Sequence, residues 1–77
     1  MAVRPLYVIA LEVQNDWGVK VNYAAKPYLE ALGGLDSISD TYGYDSASSM
    51  VRYFLANAGT WRGDVARRVK AELKGML

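Results

Sequence analysis

The chain has 77 residues, a formal net charge of +1, and neither cysteine nor histidine. That length makes one domain, residues 1–77, with a small core and a thin stability margin. The composition excludes a disulfide framework and a thiolate metal centre, and it removes the commonest metal ligand and general base.

Stability must therefore come from a tidy helical core or from self-association. The apolar run Leu6–Leu11 is too short to span a bilayer, and no segment has a signal-peptide pattern. The expectation is a soluble, intracellular chain with no membrane partner. Charge is unevenly spread. Residues 1–50 hold three cations against six carboxylates, a net −3, and residues 51–77 hold six against two, a net +4.

In chain order, the first element is Leu6–Val13. As a helix it follows Pro5, and Leu6, Ile9, Ala10, Val13 and Trp17 fall on one stripe. As a strand, the alternate residues Tyr7, Ile9, Leu11 and Val13 give an apolar face, and the β-branched and aromatic content suits it. A strand needs a partner, and the short Val19–Val21 offers only a marginal hairpin. The helix is favoured and the strand stays open.

Asn22 is a candidate N-cap for a second helix, whose apolar stripe is Ala25, Tyr28, Leu29 and Leu32. Gly33–Gly34 ends it, where a left-handed glycine would fit. Residues 36–42 are expected to form one or two helical turns capped by Asp36 and closed by Gly43. Asp45 or Ser46 caps the next helix, with Ala47, Met50, Val51, Phe54 and Leu55 inward and Asn57–Gly59 as its end. Thr60 is the expected cap of the last helix. Val65, Val69, Leu73 and Met76 form its buried stripe, and Asp64, Arg68 and Glu72 an i,i+4 charge ladder on its surface.

No constellation carries a catalytic signature. Asp36, Asp40 and Asp45 do not fit an EF-hand loop, because the third and sixth positions hold the wrong residues. Helix capping and solvation explain them. Gly33–Gly34 lacks phosphate-loop spacing. A chain this short can hardly enclose a pocket of ordinary ligand size. The expectation is no enzyme activity and no cofactor.

Two groups of residues remain as contact candidates. Two Trp and six Tyr exceed what so small a core can house. Tyr42, Tyr44, Trp61 and Arg62 are the candidate protein-binding set, because exposed aromatics and Arg dominate binding hot spots. The competing reading is that Trp17 and Trp61 close the two ends of the core. The basic residues Arg62, Arg67, Arg68, Lys70 and Lys74 could instead neutralise nucleic-acid phosphates, although Asp64 and Glu72 interrupt that face and a solvated helix face explains it as well.

The runs Ile9–Val13 to Asp16-Trp17, Val21–Leu29, Ser49–Asn57, Thr60–Gly63 and Ala66–Lys74 resemble small uncharacterised proteins of tailed bacteriophages, actinobacterial phages especially. The resemblance runs from about Ile9 to Lys74 and carries no assigned activity. It implies a helical N-terminal segment, a bacterial host cytoplasm as the location, and a host protein as the partner.

The fold expected is all-α, a compact bundle of three to four short helices, with α+β and an N-terminal strand or hairpin at 6–21 as the alternative. The function expected is a non-enzymatic phage accessory protein that binds a bacterial host protein. The alternatives are a nucleic-acid-binding protein and a self-associating protein with the apolar Leu6–Val13 region as its seam.

Overall fold

A computed structural model describes residues 3–77. Four α-helices form among the described residues: α1 (Leu6–Trp17), α2 (Lys26–Leu32), α3 (Ala47–Ala56) and α4 (Asp64–Gly75). A 3₁₀ turn at Gly18–Lys20 follows α1, and a two-stranded antiparallel hairpin, β1 (Thr41–Tyr42) and β2 (Asp45–Ser46), precedes α3. The fold is thus mainly helical with one small sheet. Its radius of gyration, 11.2 Å, matches the roughly 11.5 Å of a compact chain this long.

The N-terminal segment is a helix. Its buried residues are Leu6, Ile9, Ala10, Val13 and Trp17, the stripe that the helical period selects. A strand at 6–13 would have buried Tyr7 and Leu11, and both are exposed. No side chain caps α1. Its first free N–H groups, on Leu6 and Tyr7, donate instead to the carbonyls of Asp36 and Leu35 at 2.8 and 2.9 Å. The remote loop therefore does the capping. Gly18, at φ +61°, turns the chain out of α1.

The N-cap of α2 is Ala25, with no side-chain cap, and Asn22 instead closes the turn ahead of it. The Asn22 side chain accepts the Ala24 N–H and its carbonyl accepts the Lys26 N–H. Leu29 and Leu32 are buried and Tyr28 is partly covered. Gly33 ends this helix without a left-handed turn, since it sits at φ −64°, ψ −17°.

Residues 36–42 are not helical, contrary to expectation. The Asp40 carboxylate accepts the N–H groups of Asp36 and Ser37 at 3.1 and 3.0 Å, which folds the segment into a tight loop. Local side-chain bonds of this kind compete with helix formation. The chain then enters the hairpin, with Thr41 opposite Ser46 and Tyr42 opposite Asp45. The two-residue connection Gly43–Tyr44 has Gly43 at φ +63° and Tyr44 at negative φ. Glycine at the first central position is the requirement of a II′ turn.

Ser46 caps α3 as expected, accepting the Ser49 N–H at 3.1 Å. Ala47, Met50, Val51 and Phe54 are buried and Leu55 packs against them. The last helix starts later than Thr60 would place it. Its N-cap is Gly63, with no side-chain cap, and its buried face is Ala66, Val69 and Leu73, with Val65 and Met76 packed beside it.

Charges tie α4 to α1 in place of the expected ladder along α4. Arg4 bonds Glu72 through Nε at 2.9 Å and Glu12 through Nη2 at 2.8 Å. Arg68 also pairs with Glu12, and Arg67 rather than Arg68 takes Asp64. A forked Arg–carboxylate bond between elements outcompetes an exposed i,i+4 pair worth about 0.3–0.5 kcal/mol.

The chain Glu72–Arg4–Glu12–Arg68 sets a pH dependence. Arg68, then Arg4, holds the Glu12 carboxyl below its ordinary value near 4.5, and Arg4 does the same to Glu72. A folded-state pKa below the unfolded one contributes stability that is present above the unfolded value and lost as pH falls through the folded one. The melting temperature is expected to be level from pH 7 to about 5 and to fall below about 4.5. Arg4→Ala should cost about 1 kcal/mol at pH 7 and flatten the acid limb. Melting curves of both proteins across that range check this.

Candidate functional site

No tyrosine is buried: Tyr23 and Tyr44 are almost wholly exposed, Tyr7, Tyr42 and Tyr53 are about half exposed, and Tyr28 is the most covered. The surplus of aromatics over core capacity is therefore real, and the surplus is tyrosine. The tryptophans are core residues.

Trp17 and Trp61 stack on each other, with centroids 5.7 Å apart and planes 14° apart. Phe54 meets both edge-on, at 6.3 and 6.4 Å. The Trp61 Nε1–H donates to Asp16 at 2.8 Å, and Lys70 Nζ donates to the Trp61 carbonyl at 2.6 Å with the ammonium 5.9 Å from the ring. Both tryptophans thus sit at one end of the core rather than at opposite ends. Trp61 is 2 % exposed, so it leaves the candidate protein-binding set: its ring faces Trp17 and Phe54, not solvent.

Tyr42 and Tyr44 behave differently. Tyr42 is 50 % exposed and Tyr44 is wholly exposed. Their hairpin is braced at its base, where the Ala47 N–H bonds the Asp40 carbonyl at 2.8 Å. The N–H of Ser37, then that of Asp36, lowers the Asp40 carboxyl pKa, so this group is a fixed acceptor and a poor proton donor near neutrality. Asp36 and Asp45 are exposed beside it.

The hairpin enters the N-terminus of α3, and Phe54 and the tryptophans mark its C-terminal end. Ten helical residues rise about 15 Å. The structure thus places Tyr42 and Tyr44 at one end of α3 and Trp61 and Arg62 at the other. The four residues are two surfaces, not one.

The basic candidates also divide. Arg68 is committed to Glu12 and Arg67 to Asp64 on the open surface. Lys70 is anchored on Trp61, and its pKa is lowered by burial and by the nearby Lys74 and Arg62. Arg62 and Lys74 are exposed, with no carboxylate partner among the described residues. A further cation lies beside them: Lys20 and Arg62 line one shallow cleft with Asp16, Trp17, Thr60 and Trp61. No sequence signal joins Lys20 to Arg62, since the tryptophan stack and the Trp61–Asp16 bond bring their segments together.

The expected self-association seam is mostly spent inside. Leu6, Ile9, Ala10 and Val13 face the core, leaving Tyr7 and Leu11 outward beside Gln14 and Gly33. No helix among the described residues is long and apolar enough to cross a membrane. Comparison with protein-family models, with curated proteins and with solved structures finds no match.

Proposed function

We propose that this chain is a non-enzymatic bacteriophage accessory protein that works in the host cytoplasm, without a cofactor, by docking on a bacterial protein through its β-hairpin. The observation that carries the reading is the pair Tyr42 and Tyr44, held in solvent on a braced turn. Tyrosine has two side-chain torsions, so a rigid turn presents large contact area at low entropy cost. Asp36, Asp40 and Asp45 flank the pair, which favours a partner surface carrying Arg and Lys. Asp40 is occupied as a loop brace, which suits that carboxylate to a structural role rather than to proton transfer. The host setting of this proposal rests on the resemblance of the runs from Ile9 to Lys74 to small phage proteins.

The test is a comparative pull-down from bacterial lysate with the wild-type chain and a Tyr42→Ser/Tyr44→Ser variant of equal melting temperature. The wild type should retain one stoichiometric protein, and the variant should lose it. Equal retention by both, or none by either, counts against the reading.

A further inference from the structure

Two shallow clefts share Trp61 and Arg62. One opens toward the 3₁₀ turn and is lined by Lys20. The other opens along α4 and is lined by Gly63, Ala66, Arg67 and Lys70. Lys74 follows Lys70 by one helical turn. Five cations therefore follow one surface. Two carboxylates lie within it, Asp16 bonded to the Trp61 indole and Asp64 bonded to Arg67.

The fold holds these like charges close together. Lys70 is held in place here by its ammonium's bond to the Trp61 carbonyl and its position over the indole. Both Lys74 and Arg62 lie close enough to disfavour its charge. An anion laid across them would relieve that repulsion. Two of the three Lys70 donors remain for it.

The length of the row decides what kind of anion. From Arg67 to Lys74 the helix rises about 10 Å, and Arg62 and Lys20 continue the row past the helix start. A lone phosphate cannot touch all of it. A nucleic-acid backbone, with a charge every ~1.7 Å of duplex axis, can. Trp61 is covered, so its ring provides no platform for a base, and the contact is to phosphates irrespective of sequence.

From this we propose that the ridge Lys20–Arg62–Arg67–Lys70–Lys74 is a second binding surface, one that takes the phosphate backbone of a nucleic acid. It is independent of the hairpin. Arg68 is outside it, because that side chain lies on the side of α4 that faces α1, against Glu12; Arg67 stays in the ridge, paired there with the exposed Asp64.

The experiment is fluorescence anisotropy of the full chain with a labelled 20-mer, as duplex and as single strand, from 50 to 200 mM salt. With about four phosphates neutralised, log K should fall against log salt with a slope of about −3 to −4, roughly a hundredfold across that range. Arg62→Gln/Lys74→Gln should reduce the slope to about −2. Arg62→Gln alone, a single exposed change, should reduce it by about 1 and serves if the double variant melts early. The Tyr42→Ser/Tyr44→Ser variant should bind the 20-mer as the wild type does, which separates this surface from the hairpin. No binding at 50 mM salt, or an unchanged slope in the Gln variants, overturns the proposal. So does equal affinity for polyglutamate, which would assign the ridge to an acidic protein. Displacement by millimolar inorganic phosphate at constant ionic strength would reduce it to a single-phosphate site and overturns it too.

Discussion

Phe54→Ala is expected to lower the melting temperature by about 15–30 °C, enough to leave much of the protein unfolded at 37 °C. Phe54 is fully buried and touches both tryptophans edge-on. Deleting a buried Phe costs about 3–5 kcal/mol, because transfer free energy is lost and a cavity remains. A domain this size holds roughly 4–12 kcal/mol in total. The loss also spreads. Trp61 links Asp16 on α1 to Lys70 on α4, so loosening the stack frees both helices. Tryptophan emission should shift to the red as water reaches the rings. Arg52→Ala, on the exposed side of the same helix, should shift the melting temperature by less than about 5 °C. If Phe54→Ala melted that close to wild type, the aromatic stack would not be the centre of the fold.

The second large effect is on binding. If the hairpin docks on a protein as proposed, Tyr44→Ala is expected to weaken that partner's affinity by about 30-fold, some 2 kcal/mol, and to leave the melting temperature unchanged. Tyr44 makes no core contact, since it is wholly exposed, so truncation removes nothing from the fold. In a complex the ring would be desolvated against the partner, and a centrally placed tyrosine is a typical hot-spot residue. Tyr23, 91 % exposed in the turn before α2, is the control: Tyr23→Ala should leave affinity unaltered. Titration calorimetry with the three proteins reads both results. Equal weakening by Tyr23→Ala and Tyr44→Ala would remove the hairpin from its special position.

The helices were legible in the sequence where one periodic stripe had one plausible burial. The residues of α1, from Leu6 to Trp17, and of α3, from Ala47 to Leu55, fall on the faces that their period selects. Ser46 was legible as one of two candidate caps, with Asp45, because both stand just ahead of an apolar helical stripe. The loop 35–46 was not legible. Its shape depends on Asp40 reaching back to Asp36 and Ser37, and on Leu35 and Asp36 offering carbonyls to a helix some thirty residues earlier. Expected helix boundaries made Asp36 look like a cap and left Asp40 as a solvated carboxylate.

The site was half legible. Tyr42 and Tyr44 around Gly43 announced an exposed turn, and they are exposed. Trp61 misled, because an aromatic residue beside an arginine reads the same whether its ring faces a partner or a second tryptophan. Only the meeting of Trp17 and Trp61, 44 positions apart in the chain, separates the two readings. The same holds for charge. Arg68 belongs to the basic helix by position, and to Glu12 by geometry.

The most direct test of contact through the hairpin is site-specific photocrosslinking in bacterial cells, with Tyr44→p-benzoylphenylalanine compared with the same replacement of Tyr23. A hairpin that docks on a host protein gives one discrete adduct from position 44, of a mass that is not a multiple of this chain's own, and none from position 23. No adduct from position 44, or only adducts of two copies of this chain, would contradict it.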